Sequence, residues 1–272
     1  MKHDSFPKLK KTINAKERKL KAILGSYPGV VVAFSGGVDS SVLLKAARDV
    51  LGIRVLAITA RSSLYPPAET ALARKIARAI GVRHLVFESR EMGMPQFRKN
   101  PRNRCYYCKW ELFSFMKKIA EQLGYAVVEG GNRSDLGDFR PGRIAARKLG
   151  VRSPLAGAGL EKSEIRQLAR RFKLPNWDKP AMACLASRIP YGWTVDIKTL
   201  DRIGKAESFL RRLKLNQIRV RDHLPIARIE VLPSEFTRIL RHRGQIIKYF
   251  KWLGYKYITL DLIGYQTGSM NL

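Results

Sequence analysis

Cysteine is scarce in this chain of 272 residues: there are three, at positions 105, 108 and 184. So small and odd a number excludes a disulfide-stapled scaffold and leaves thiols for chemistry or for metal. Acidic residues are also few, 22 against 52 lysines and arginines, for a formal net charge of +30. Long apolar runs are missing, with nothing near the roughly 18 uncharged residues that a membrane span requires. Repeats and low-complexity tracts are missing too. The first 25 residues are basic and helix-patterned, without the apolar stretch and small-residue site of a secretion signal. The expectation is therefore a cytoplasmic protein with reduced thiols. What is present is ordinary for a globular protein, 45% hydrophobic and 27% charged, with enough apolar material for one large or two modest domains. The positive excess favours polyanionic partners such as nucleotides, phosphorylated substrates or RNA. It is spread along the chain and not gathered in a tail or stripe, which weakens the case for RNA.

Residues 7–25 carry apolar side chains at roughly helical spacing and end at Gly25. Val30-Val31-Val32-Ala33-Phe34 is a continuous β-branched run, as expected of a strand buried on both faces. Similar runs at 54–58, 84–87 and 126–129 alternate with helical patterns at about 40–51, 67–80 and 108–123, and a further helix is expected at 162–172. That alternation predicts an α/β fold with a doubly wound parallel sheet. The segment 174–194 is punctuated by Pro and Gly and reads as a loop. Beyond it the pattern predicts a smaller α+β domain, with helices at 198–213 and 234–252 and strands at 217–221, 227–231 and 256–262. The expected division is 1–173 and 174–272, with 174–197 as linker.

Ser35-Gly36-Gly37-Val38-Asp39-Ser40-Ser41 follows the first buried strand and opens a helix. Two glycines let backbone approach an anion closely, and N–H groups at a helix start point towards it. The hydroxyls of Ser35, Ser40 and Ser41 add donors for phosphate oxygens, and Asp39 suits a Mg²⁺ ion between it and the phosphates. No lysine stands where the GxxxxGK[ST] loop has one. The heptapeptide resembles the PP-loop of ATP pyrophosphatases, which implies ATP and an adenylation. Thr59 ends the second strand and Gly131-Asn132 follows the fourth, at the sheet edge where nucleotides bind in open α/β folds. With Ala33 at the end of the first strand, they complete the expected nucleotide site.

Cys105 and Cys108 form a CxxC at the start of an expected helix, and Cys184 lies in the 174–194 loop. Four readings stand side by side. Structural zinc wants a fourth ligand that none of His3, His84, His223 or His242 convincingly provides. A redox dithiol leaves Cys184 unused, and buried inert cysteines are the bland alternative. A [4Fe–4S] cluster held by three thiolates leaves one iron open to sulfide and uses every cysteine in the chain.

The blocks SGGVDSS, CYYCKWELF, GDFRPG, RSPL, KSEIRQLAR, LPNWDKPAMACLASRIPYG, RVRDH and ARIEV together resemble the LarE family over nearly the whole chain. The resemblance implies an ATP-dependent sulfur transferase that adenylates a carboxylate of pyridinium-3,5-biscarboxylic acid mononucleotide and turns it into a thiocarboxylate. It serves the nickel-pincer cofactor of lactate racemase. Within the family a lone cysteine matching Cys184 gives up its own sulfur, whereas a CxxC plus that cysteine carries a [4Fe–4S] cluster delivering external sulfide. Cys105, Cys108 and Cys184 resemble the second type. The resemblance also implies substrate contacts at Ser187 and Arg188, and substrate pairing by Arg219 and Arg221, which share one strand face. Glu207 and Glu230 match acidic family positions. The implied partners are a small anionic mononucleotide, sulfide or a sulfur donor, and further copies of the chain. A PP-loop tRNA thiolase is the rival reading and a non-catalytic binding module the third.

Overall fold

The computed structural model describes residues 5–137, 141–180 and 182–266. Asp138, Phe139 and Arg140 of the GDFRPG segment lie outside the described residues. In chain order the elements begin α1 (Ser5–Gly25), β1 (Val30–Ala33), α2 (Val38–Leu51), β2 (Val55–Arg61), α3 (Pro67–Ile80) and β3 (Arg83–Glu88). There follow α4 (Pro95–Arg98), α5 (Arg104–Leu123), β4 (Ala126–Val128), α6 (Pro141–Lys148), α7 (Pro154–Gly157) and α8 (Lys162–Arg171). The last third holds α9 (Ile197–Arg212), β5 (Ile218–His223), β6 (Ile226–Val231), α10 (Phe236–Arg241), α11 (Arg243–Trp252) and β7 (Tyr257–Leu260).

The chain divides into two compact units. The first takes residues 1–61, 67–90 and 105–179, and the second takes 62–66, 91–104 and 180–272. Division at a single point near 173 therefore does not describe the contacts. Two excursions from the N-terminal half pack with the C-terminal half, and 174–179 stays with the first unit.

The first unit is built on a parallel sheet in the order β3-β2-β1-β4. Along β1, Val30 and Val32, and Phe34 just beyond it, enter a core with α1, α2, α3 and α8 on one face. Val31 enters a second core, with Leu112, Phe113 and Met116 of α5, on the other. Because successive side chains of a strand point to opposite faces, a sheet covered on both faces needs apolar residues at every position. That is why this strand reads as an unbroken run.

The second unit carries a three-stranded sheet in the order β5-β6-β7, antiparallel between the first two and parallel between the last two. Its inner face packs on α9, α10 and α11 through Leu210, Val220, Ile229, Ile246 and Phe250. The helix expected over 234–252 is broken at His242, where α10 stops and α11 restarts. Ile239, Ile246 and Phe250 are buried on both sides of the break, so the apolar period runs through it unchanged. Among the described residues no helix is long and apolar enough to cross a membrane.

Candidate active site

In the first unit the turn between β1 and α2 is closely built. Gly36 has φ +69°, and a Cβ there would meet backbone and side chain of Ala73 at 3.2 Å. Glycine is thus required twice over, for the left-handed conformation and for space. Gly37 precedes α2 with no side chain capping the helix, leaving that end to backbone N–H groups. Its own N–H donates to Ser35 Oγ at 3.3 Å, and Ser40 Oγ donates to the Gly37 carbonyl at 3.1 Å while lying 3.2 Å from Ser35 Oγ. Gly130, at the end of β4, approaches so closely that a Cβ would lie 3.1 Å from the Ser40 nitrogen.

Asp39 takes one hydrogen bond, from Asn132 Nδ2 to its Oδ2 at 3.1 Å. Its Oδ1 is buried and has no partner, as is Oδ1 of Asn132. Burial pushes the Asp39 carboxyl above the usual carboxylate range and Asp135 adds to this, while Lys162, the Asn132 hydrogen bond and Arg166 pull the other way. A part-buried carboxylate with one oxygen unsatisfied, beside an uncapped helix start, fits a divalent ion carrying phosphate oxygens.

Other sequence-derived positions take supporting places. Thr59 is buried, donating to the Phe34 carbonyl at 2.5 Å with His84 Nε2 at 2.7 Å. Burial, with Arg74 nearby, lowers the His84 pKa. Ala33 ends β1 opposite Ile58 and packs against the second core. Gly131 accepts from Ala156 N–H at 3.2 Å. Ser41 is fully buried and its hydroxyl meets Asn176, so it braces the loop from behind.

Asn176 was not singled out by the motif reading, although it lies in the LPNWD segment. Its side chain donates to the Gly36 carbonyl and to Ser41 Oγ, both at 3.0 Å. The flanking residues are held as well. Arg166 donates to the Trp177 and Lys179 carbonyls, and Lys179 pairs with Glu69 at 2.5 Å.

In the second unit Cys184 is half-buried and opens the short turn Leu185–Arg188. The Cys184 carbonyl accepts from Ser187 N–H at 3.0 Å, Ser187 Oγ at 2.8 Å and Arg188 Nη1 at 3.0 Å. Arg188 is fully buried and grips fully buried Glu207 through Nε and Nη2 at 2.8 and 3.0 Å. Glu207 also accepts from Arg211 and from the backbone of Val220. Arg221 forms the same two-pronged pair with Glu230, at 2.8 and 2.7 Å, and donates to the Ser187 carbonyl at 2.8 Å. Arg228 reaches Glu230 as well. Arg219 lies over the Tyr265 ring at 4.9 Å, its pKa lowered by burial and by nearby Arg188. The structure thus gathers Ser187, Arg188, Glu207, Arg221 and Glu230 into one hydrogen-bonded network around the Cys184 turn, while Arg219 donates to the Ile218 carbonyl and lies against Tyr265. The two glutamates are counter-ions of arginines, and the guanidinium of Arg221 is engaged by Glu230.

Cys105 is exposed and Cys108 half-buried in the first turn of α5. Both belong to the first unit, and Cys184 to the second. Among the described residues no three of His, Cys, Asp or Glu are gathered so as to hold a metal ion.

A parallel α/β sheet with an SGGxDS turn opening its second helix defines a PP-loop, ATP-using enzyme, and residues 24–104 match the asparagine synthase family model. The chain is 36% identical over 262 residues to the pyridinium-3,5-bisthiocarboxylic acid mononucleotide synthase of Lactiplantibacillus plantarum, covering 96% of this chain and 95% of that protein. It is 43% identical over 262 residues to an uncharacterized protein of Synechocystis, covering 95% and 98%. An uncharacterized protein of Methanocaldococcus jannaschii is 30% identical over 242 residues, covering 88% and 91%. The chain belongs to the LarE family of ATP-dependent sulfurtransferases.

Proposed function

We propose that this enzyme adenylates a carboxylate of pyridinium-3,5-biscarboxylic acid mononucleotide with ATP and replaces AMP by sulfur. The sulfur would come from sulfide delivered through a [4Fe–4S] cluster on Cys105, Cys108 and Cys184. The observation that carries the adenylation reading is the Ser35–Ser41 turn, with its uncapped helix start and the unsatisfied buried oxygen of Asp39. The family relationship supports the substrate. Three cysteines, the whole complement of the chain, support the cluster.

In the first half-reaction the substrate carboxylate attacks the α-phosphorus of ATP. The bond to the bridging oxygen breaks, and pyrophosphate leaves into the Ser35–Ser41 turn. Backbone N–H groups and the Ser35 hydroxyl would hold its charge, and Asp39, with Oδ1 unsatisfied, would hold a divalent ion that supplies charge neutralisation there. In the second, sulfide adds to the acyl carbon and AMP leaves with the acyl–oxygen bond, giving a thiocarboxylate. When bound, an open-iron cluster supplies sulfide as the nucleophile. Arg188 and Ser187 fix the Cys184 turn through its carbonyl, so the thiol is presented from a rigid backbone.

The test is pyrophosphate exchange into ATP. Exchange should depend on the biscarboxylate mononucleotide and not on tRNA. Exchange stimulated by tRNA, with RNA affinity falling steeply in salt, would favour the thiolase. No exchange with either would sink both.

A further inference from the structure

The arginines that the sequence offered for substrate anions are heavily committed: Arg188 grips Glu207, and Arg221 grips Glu230. One guanidinium in the same unit is differently placed. Arg104 is only 5% exposed, and its Nε and Nη1 are buried with no hydrogen-bond partner. Three N–H donors are thus out of water and unfilled. The Tyr191 ring lies 4.8 Å from its Cζ. An aromatic face attracts a cation but accepts no in-plane hydrogen bonds, so it leaves those donors open.

Burying a guanidinium without a counter-ion is strongly unfavourable, and an arginine in such a place implies an anion that arrives later. Among the described residues, the two segments around it supply no carboxylate to pair with it. Segments 91–104 and 182–195 contain one acidic residue, Glu91, whose carboxylate is bonded to Ser62. Both segments are fixed to each other. Fully buried Asn100 donates to the Ile189 and Pro190 carbonyls at 3.2 and 2.8 Å and accepts from Gly192 N–H at 3.1 Å. Val195 N–H donates to the Arg98 carbonyl at 2.8 Å. Arg104 is thereby held against the segment that begins at Cys184, and it stands immediately before Cys105 at the start of α5.

We propose that Arg104 is an anion-recognition residue of the sulfur-transfer site, taking a carboxylate or the phosphate of the mononucleotide substrate. This rests on the function proposed above, and the experiment keeps the two apart. Binding is measured calorimetrically, with a non-hydrolysable ATP analogue saturating the phosphate loop, for wild type, Arg104→Lys and Arg104→Met. The probes are the biscarboxylate mononucleotide, its dephosphorylated nucleoside, its monocarboxylate counterpart and inorganic phosphate.

Arg104→Met should weaken the mononucleotide about tenfold or more, the loss of one charge-assisted contact, while leaving affinity for the ATP analogue unchanged. Arg104→Lys should recover part of it. If the phosphate is the partner, wild type and Arg104→Met bind the nucleoside equally; if a carboxylate is, the difference survives in the nucleoside and shrinks with the monocarboxylate. A folded Arg104→Met that binds the mononucleotide as wild type does would overturn the inference. Should wild type not bind the mononucleotide at all, the substrate reading falls. Arg104 is then decided by inorganic phosphate: weaker binding by Arg104→Met supports an anion site, and equal binding removes it.

Discussion

Asp39 joins stability and activity in opposite senses. Burial raises its folded-state pKa above the unfolded value, so the native state holds the proton more tightly. The stability tied to that proton is present at low pH and lost as pH rises through the raised value. Asp39→Asn removes the penalty, so its thermal midpoint should exceed that of wild type at pH 8, with the gap closing on acidification. Pyrophosphate exchange should fall about 10²-fold, roughly 3 kcal/mol of lost transition-state stabilisation. Equal midpoints at both pH values would show that the carboxylate is not strained. Glu207 carries a different load. Glu207→Ala leaves Arg188 buried and uncompensated, at a cost of about 3–5 kcal/mol in urea unfolding. The double change Arg188→Met with Glu207→Leu should restore most of that stability. It should still impair sulfur transfer, because the Cys184 carbonyl loses Arg188, while pyrophosphate exchange persists. At this scale the sequence offers residues but not their contacts. The SGGVDSS pattern exposes chemistry because its spacing is local. That Glu207 and Glu230 neutralise Arg188 and Arg221 depends on side chains meeting across strands and helix, which no linear spacing records.

The elements show what periodicity can and cannot carry. The β1 run declares a two-sided burial in four residues, and the strands and helices of the parallel sheet follow from the same alternation. The break at His242 is silent, since the buried positions keep their period across it. The 91–104 excursion is silent for another reason: Asn100 and backbone hydrogen bonds tie it to 189–195, and such bonds leave no periodic mark in the sequence. Asn176 belongs here too, because it ties the 174–179 segment to the phosphate loop. Asn176→Ala removes two buried hydrogen bonds of about 1 kcal/mol each. The expected result is a KM for ATP raised about tenfold, measured by pyrophosphate exchange, with mononucleotide affinity unchanged. A uniform fall in both would make Asn176 a general stabiliser of the fold and not a brace for the loop.

The candidate residues fall on two units, the SGGVDSS turn and Cys105–Cys108 on one and Cys184 with its arginine–glutamate network on the other. A charge of +30 suits a substrate bearing a phosphate and two carboxylates as well as ATP. The proposed catalytic sulfur transfer requires that no cysteine be consumed. Anaerobic preparation with iron and sulfide should give about four irons and four labile sulfides per chain, lost when any of the three cysteines is changed to alanine. The most direct test is to count thiocarboxylates formed per chain with ATP and excess sulfide while following the mass of the Cys184 peptide. Cluster-delivered sulfur should give many products per chain and an intact Cys184. One sulfur per chain, matched by loss of H₂S from Cys184, would contradict it and make the cysteine itself the donor.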